Sequence, residues 1–481
     1  MTENEGRETA PEGTDLARGL PMVSRWDPEA LEEEKTHLRE LGEKGAGARW
    51  GYYWARQGPG WMQSALTLGG GSAASSLFAG AFLEYRLLWL QPTAMALGII
   101  AMSAVAYQTV MTGIRPFQAM SRFVHPVMAW LWALGSLAAT VIWHFPQYTL
   151  AGAVCNDMVK AASAERVDVP PIVFAVVVLG IATWITFNYG KSARGIRIYE
   201  RTLKYMVWGI VFAFLVVIIK NSLAGRINWG AVGRGYVGFY IPPTDDPRGV
   251  SVLMGAFGAA VGINMTFLFP YTLLARGWSR EHRGLAQFDL IVGMLIPFAL
   301  ATSLMMIATA STIYGTEHVP AEGTGMSPVQ AAQILANTTG LFVGRFIFGL
   351  GILGMALSTI TLHMLVSAFI VCEVMGWEPT GWHYRLGALI PAVGVLGPVL
   401  WDLMKLMWVP VIASVASGLL LPIAYIGFWI LMNRRAYLGE AKPTGGAAAL
   451  WNLGLGLATI AALSSASYYI WTNVITKHFL H

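Results

Sequence analysis

Eight segments of this chain contain no Asp, Glu, Lys or Arg, and each is long enough to cross a membrane. They are Gln57–Leu83, Leu87–Ile114, Phe123–Asn156, Gly249–Ala275, Leu290–Thr316, Phe346–Cys372, Leu406–Asn433 and Pro443–Thr476. A helix needs about 20 mostly apolar residues to cross the hydrocarbon core of a bilayer. Only 12% of all residues are charged, whereas a soluble domain carries roughly 25%. The chain is therefore predicted to be an all-α polytopic membrane protein.

The apolar pattern predicts about eleven transmembrane helices, with boundaries uncertain by about two to four residues. They are 57–82, 87–113, 123–153, 170–189, 203–220, 250–276, 287–315, 341–373, 384–401, 406–433 and 449–475. Ahead of them, Asp27–Lys44 has helical composition and should form a short polar helix at the membrane surface.

Basic residues in three connecting segments set the predicted orientation. They are Lys191, Arg194, Arg197, Arg201 and Lys204 in the first, Arg276, Arg280 and Arg283 in the second, and Arg434, Arg435 and Lys442 in the third. Cytoplasmic loops carry an excess of Lys and Arg. We therefore predict a protein of the plasma (inner) membrane with a cytoplasmic N-terminus and an external C-terminus.

Two predicted spans contain clustered glycines at matching places in the chain. The first has Gly69, Gly70 and Gly71 followed by Ser72, and the sixth has Gly255, Gly258 and Gly262. Each glycine in a helix interior costs about 1 kcal/mol relative to alanine. A pair of interrupted helices five spans apart is typical of inverted-repeat transporters, in which both helices break at the substrate site. Glycine notches for close helix packing are the alternative explanation.

This organisation divides the chain into five parts. Residues 1–50 form a cytoplasmic tail with the short polar helix, 51–222 the first five-helix repeat, and 223–249 an external loop. Residues 250–435 form the second five-helix repeat, and 436–481 add a C-terminal transmembrane helix.

The first and sixth spans resemble the Nramp metal-ion transporters. The resemblance rests on Gly58-Pro59-Gly60, Ala79-Gly80-Ala81, Tyr85, Leu87-Leu88-Trp89 and, in span 6, Gly258–Val261. It covers roughly residues 50–435. It implies a LeuT-type fold with a 5+5 inverted repeat, broken helices 1 and 6, and divalent-cation transport by alternating access.

The residues at the family's metal-ligand positions differ from its usual motifs. Gly69, Gly70, Gly71 and Ser72 align with Asp-Pro-Gly-Asn, and Gly262–Met265 aligns with Met-Pro-His-Asn. Mn²⁺ and Fe²⁺ prefer carboxylate or imidazole ligands, and a thioether adds selectivity, so we predict no direct metal ligands here. Mg²⁺ usually keeps several waters, and an at least partly hydrated Mg²⁺-like ion is therefore the expected substrate.

The predicted substrate-binding residues come from both broken helices. They are Gly69, Gly70, Gly71, Ser72, Gly262, Asn264, Met265 and Thr266. His144 and Gln147, in span 3, are candidates for a proton or polar relay because ionisable residues inside membranes are often functional. With His144 as the one titratable group that the alignment leaves there, transport should be uncoupled from protons or only weakly coupled to them.

Two alternatives stay open at this point. The glycines enlarge the predicted site, and helix N-termini attract anions, so the chain could carry a small organic or anionic solute instead. A membrane sensor or structural protein that no longer transports is the third option.

Other classes find no support in the sequence. No zinc spacing, phosphate loop or nucleophile elbow indicates an enzyme or a cofactor, and Cys155 and Cys372 form no framework. The net charge of +5 comes from loop residues, so nucleic acid is not an expected partner. The expected partners are the lipid bilayer and a small substrate, and the oligomeric state, a monomer included, stays open.

Overall fold

The computed structural model describes residues 28–471, apart from some internal gaps. These are 45, 189–192, 244–252, 254, 257, 318, 320–328, 331–332, 335, 337–339, 378, 380 and 405–408. The described part is helical and contains no β-strand.

In the first half of the chain, the described residues form a series of α-helices. They are α1 (Pro28–Glu43), α2 (Ala46–Arg56), α3 (Pro59–Thr67), α4 (Gly70–Leu83), α5 (Leu90–Thr112), α6 (Pro116–Phe123), α7 (Pro126–Ala162), α8 (Pro171–Asn188), α9 (Ala193–Leu223) and α10 (Trp229–Val237). The helix predicted at Asp27–Lys44 is confirmed as α1. The amphipathic helix α2 was not predicted.

The described residues of the second half form further α-helices. They are α11 (Ile263–Ala275), α12 (Arg283–Leu290), α13 (Ile296–Ala310), α14 (Phe348–Met375), α15 (Gly381–Leu389), α16 (Gly397–Met404), α17 (Val409–Asn433), α18 (Arg435–Leu438) and α19 (Gly445–Ile470). Two π-helical turns, Ile291–Leu295 and Phe342–Ile347, join α12 to α13 and lead into α14.

Within the described residues, nine helices are long and apolar enough to cross a membrane, or up to eleven if each bent pair counts as one span. The bent pairs are Pro59–Thr67 with Gly70–Leu83, at 55°, and Ser417–Asn433 with Arg435–Ala441, at 72°. The all-α polytopic architecture is therefore confirmed. The protein is an integral membrane protein.

The break in the first span lies at Leu68 and Gly69, earlier than the predicted Gly69–Ser72. Leu68 has ψ 61°, Gly69 is extended, and helix α4 resumes at Gly70. None of these dihedrals requires glycine. Instead, a Cβ on Gly69 would lie 2.9 Å from Thr359 Oγ1 and 3.2 Å from Gln147 Nε2. The glycine is needed there because two neighbouring side chains approach the backbone closely.

The break in the sixth span lies at Val261 and Gly262, not at the predicted Gly262–Met265. Residues 258–260 are helical, Gly262 is extended at φ −83° and ψ 156°, and α11 begins at Ile263. A Cβ on Gly262 would lie 2.5 Å from Asn264 Oδ1 and 2.9 Å from Ser417 Oγ. Ile263–Met265 are helical because Gly262 already serves as the N-cap, its carbonyl accepting from Met265 N at 3.0 Å.

The N-terminal end of span 1 is held by a buried carboxylate. Asp289, at the end of α12, accepts hydrogen bonds from Gly58 N at 3.1 Å and Gly60 N at 2.6 Å. These N–H groups belong to the first turn of α3, where no intrahelical partner exists. Asp289 thereby fixes the start of α3, and Gly60 packs directly against the Asp289 main chain.

We predict that Gly60→Ala destabilises the protein by about 1–3 kcal/mol, because the added methyl overlaps the Asp289 carbonyl. Gly51→Ala is the matched control, since no heavy atom lies within 4 Å of its added Cβ and alanine favours helix α2. The free energy of unfolding of the detergent-purified variants, from denaturant titration, measures both effects. Equal stability of the two variants would contradict the contact.

Candidate substrate site

A small cavity lies where the two helix breaks meet. Its volume is about 20 Å³, which is room for roughly one water molecule. Most of the predicted substrate-binding residues line it, namely Gly69, Gly71, Ser72, Gly262, Asn264 and Met265, together with the relay candidate Gln147. The structure therefore brings glycine-rich segments from distant parts of the sequence to one point.

Three predicted residues lie outside the lining. Gly70 lies at the start of α4 and donates its N–H to Gln147. The Thr266 hydroxyl accepts from Trp132 Nε1 at 2.9 Å and lies close to the Ile263 carbonyl. His144 lies behind the cavity, bound to main-chain carbonyls. These residues support the lining and do not form it.

The cavity also has lining residues that the sequence analysis did not select. Thr359 and His363 come from α14, and Trp143 comes from α7. Thr359 and His363 are four residues apart and so share one helix face. Their spacing, in a stretch that also contains Ser358 and Thr361, was the signal that could have identified them.

The hydrogen bond from Gly70 fixes the orientation of Gln147. Gln147 Oε1 accepts from Gly70 N at 3.1 Å, while Nε2 is buried and has no partner. Swapping the two amide atoms would set an NH₂ group against the Gly70 N–H, so the network decides the assignment. Because Gln147 lines the cavity and its Nε2 lies near Gly69, an unused hydrogen-bond donor faces this space.

Side-chain hydroxyl groups lie within hydrogen-bond distance of the main-chain carbonyl oxygens at the two breaks. Thr67 Oγ1 lies 2.8 Å from Ala259 O and 2.7 Å from Ala260 O. Ser72 Oγ lies 2.6 Å from Thr67 O and 3.1 Å from Gly69 O. In a membrane interior, such carbonyls must find partners within the protein. The N-terminus of α4 at the cavity adds partial positive charge.

No carboxylate lines the cavity. Among the described residues, no group of three or more His, Cys, Asp or Glu side chains could hold a metal ion. The Met265 sulfur accepts from Gly262 N at 3.3 Å. Neutral hydroxyl, amide, imidazole and thioether groups are therefore what this site offers a ligand.

His144 is not isolated, in contrast to the expectation of a single histidine. Its Nδ1 contacts the Pro391 carbonyl and its Nε2 lies 3.2 Å from Ile360 O. The His363 ring lies 5.6 Å away, centroid to centroid, and His363 Nδ1 is buried without a partner. The sequence could not show this pair because the residues belong to helices far apart in the chain.

The arrangement of the helices matches that of membrane transporters with broken helices. A manganese transporter from Eremococcus coleocola, crystallised with an aromatic bis-isothiourea compound, superposes with a TM-score of 0.71 at 16% identity, covering 90% of both chains. The structure of MhsT with L-phenylalanine gives 0.58 at 14% identity, covering 85% of this chain and 98% of that one. The fold is thus the LeuT-type transporter fold predicted from the resemblance.

The sequence itself gives the family. The model of the family described as "Natural resistance-associated macrophage protein-like" (Nramp) matches residues 60–472. The chain therefore belongs to the Nramp family. It is also 23% identical over 333 residues to "Metal transporter Nramp4" of Arabidopsis thaliana, which covers 62% of this chain and 60% of that relative. The chain thus spans about 60% of the length of this curated relative.

We predict that Gln147→Glu creates a direct cation site. The carboxylate can still accept from Gly70 N–H, and it replaces the uncommitted donor with a negative oxygen at the cavity. Affinity for Mn²⁺ should rise about tenfold or more, as expected for a charged interaction. Calorimetry of the purified variants measures this change. Gln147→Met, of similar length and without charge, is the control. Equal Mn²⁺ affinity in both variants would contradict the proposed geometry.

Proposed function

We propose that this Nramp-family protein is a secondary transporter that moves a divalent cation across the membrane by alternating access. The observation that carries the proposal is a cavity formed by the breaks of two helices and lined by neutral polar groups. Unwound backbone inside a membrane is tolerated where it lines a binding cavity. The N-terminus is proposed to lie in the cytoplasm and the C-terminus outside the inner membrane.

The ion is proposed to be Mg²⁺-like and to keep part of its water shell. Neutral oxygens such as that of Ser72 suit bound waters better than they compensate a bare divalent charge, whose unpaired burial is very costly. A cavity of about 20 Å³ holds roughly one water. An ion that keeps more of its waters therefore needs a conformation of the protein in which the helix halves have moved apart and the cavity is wider.

Tight binding of Mn²⁺ or Fe²⁺ is not expected, because the site has no carboxylate. Restoring the usual ligands by Gly69→Asp, Ser72→Asn and Gly262→Met would also disturb the packing. The added Cβ atoms on Gly69 and Gly262 would lie 2.9 Å from Thr359 Oγ1 and Ser417 Oγ. Ser72→Asn would remove the hydroxyl that bonds Thr67 O.

A small organic or anionic solute is the second candidate. The unused Gln147 Nε2 donor and the N-terminus of α4 both favour a ligand that accepts hydrogen bonds. The carbonyls that would attract a cation already lie near the hydroxyls of Thr67 and Ser72. This candidate retains the same fold and the same cavity.

A flux assay with reconstituted protein distinguishes the two candidate functions. Proteoliposomes containing a Mg²⁺-sensitive dye should show Mg²⁺ uptake that Gly69→Leu abolishes, because a leucine side chain fills the cavity beside Thr359 and Gln147. Mn²⁺ should bind the wild type more weakly than low-micromolar by calorimetry. Uptake of a radiolabelled amino acid without any Mg²⁺ flux would instead support the solute candidate. Low-micromolar Mn²⁺ affinity would contradict the argument from missing carboxylates.

Transport is predicted to be uncoupled from protons or only weakly coupled. The cavity lining has no carboxylate to pair with a protonated histidine. Liposomes loaded with a pH-sensitive dye should acidify little when substrate is added. Proton influx that is lost in His144→Ala but retained in His125→Ala, a histidine at the start of α7, would overturn this prediction.

A further inference from the structure

A second cavity, larger than the one at the helix breaks, lies at the N-terminal end of α3. It has a volume of about 500 Å³ and is bounded by α1, α2, α3, the beginning of α9 and the end of α11. Its walls include Trp54, Arg56, Gln57, Trp61, Lys204 and Arg276. None of these residues belongs to the substrate site described above.

The residues that line this pocket carry more positive charges than negative charges. Its two carboxylates are both in ion pairs, Glu200 with Arg276 at 2.6 Å and Glu34 with Arg56 at 2.9 Å. Lys204 and Arg201 also line the pocket, and neither has an ion-pair partner among the described residues. Two basic side chains are therefore in excess among the residues that line the pocket, next to the Asp289 carboxylate at the start of α3.

Buried donors without partners point to the same ligand chemistry. Arg276 Nε and Gln57 Nε2 are buried and make no hydrogen bond. Gln57 Oε1 accepts from Trp61 Nε1, which orients the amide so that the NH₂ group is the unused end. Both residues line the pocket. A buried donor without a partner costs about 1–3 kcal/mol, and a bound acceptor would remove this cost.

Aromatic rings complete the pocket. Lys204 Nζ lies 5.4 Å from the centre of the Trp54 ring and 4.9 Å from that of Trp61. Trp50 and Trp54 on α2 are 65% and 54% exposed. Exposed tryptophans on an amphipathic helix are typical of a membrane–water interface, where lipid headgroups and dissolved phosphate both reach the protein.

We propose that this pocket binds a phosphate group, carried by an anionic phospholipid or free in solution. Lys204 and Arg201 supply the charge, and Arg276 Nε and Gln57 Nε2 supply hydrogen bonds to its oxygens. The bound phosphate bridges Gln57, directly before α3, to α9 and to the end of α11. It thereby holds the inner half of the broken span in the packed position and favours the conformation described here. The proposal is independent of which solute the protein transports.

Calorimetry on the full-length, delipidated protein tests this site at low ionic strength. The probes are inorganic phosphate, dioctanoyl phosphatidylglycerol and, as the zwitterionic control with the same acyl chains, dioctanoyl phosphatidylcholine. Phosphate or phosphatidylglycerol should bind and raise the midpoint of thermal unfolding. If inorganic phosphate binds, a free anion is enough to fill the site. If only phosphatidylglycerol binds, the phosphate group has to come from a lipid. No binding of either, or equal binding of phosphatidylcholine, overturns the proposal.

The variant Lys204→Gln/Arg201→Gln should weaken binding about tenfold or more, because two charged contacts are lost. Arg122→Gln, which removes an exposed charge outside the pocket, should leave the affinity unchanged. Retained affinity in the double variant, or an equal loss in Arg122→Gln, overturns the assignment. If the double variant does not fold, Arg201→Gln alone, at an exposed position, gives the same comparison.

Discussion

Backbone polar groups inside a membrane have to find hydrogen-bond partners within the protein, because the bilayer core contains no water. This chain interrupts two helices there, so the backbone groups at both breaks need such partners. Side-chain hydroxyls resolve the problem. The Thr67 hydroxyl contacts the Ala259 and Ala260 carbonyls and so links the two breaks. The Ser72 hydroxyl donates to the Thr67 carbonyl and so connects the two halves of span 1. The shape of the cavity depends on these short bonds, because they fix both chain ends at the break.

The same bonds determine what the cavity presents to a ligand. With the carbonyls near hydroxyl donors, the groups left uncommitted include Gln147 Nε2 and His363 Nδ1. A site of this kind can hold water, a hydrated ion or a hydrogen-bond acceptor, and it is poorly suited to a bare divalent ion. The lining of this cavity therefore contains no carboxylate of the kind that Mn²⁺ and Fe²⁺ prefer.

Charged groups surround the N-terminal end of α3. Asp289 holds the first turn of α3, and the Glu200–Arg276 pair packs against Gly58 at the same end. A carboxylate at a helix N-terminus is favourable because of the helix dipole. The half-helix α3 is thus fixed at its N-terminal end by ionic groups and at its C-terminal end by hydroxyls, and any movement of α3 has to break one of these sets.

The sequence by itself determined the membrane class, the spans and the pair of interrupted helices, since long apolar segments and clustered glycines are local features. It also identified the family resemblance and most of the cavity lining from Gly69 to Met265. The tertiary structure decided the position of the first break, because the close approach of Thr359 to the backbone at Gly69 has no local signal. It likewise decided that His363 lies beside His144 and that Gln147 directs a donor at the cavity. These contacts join helices distant in sequence, and only packing brings such helices together.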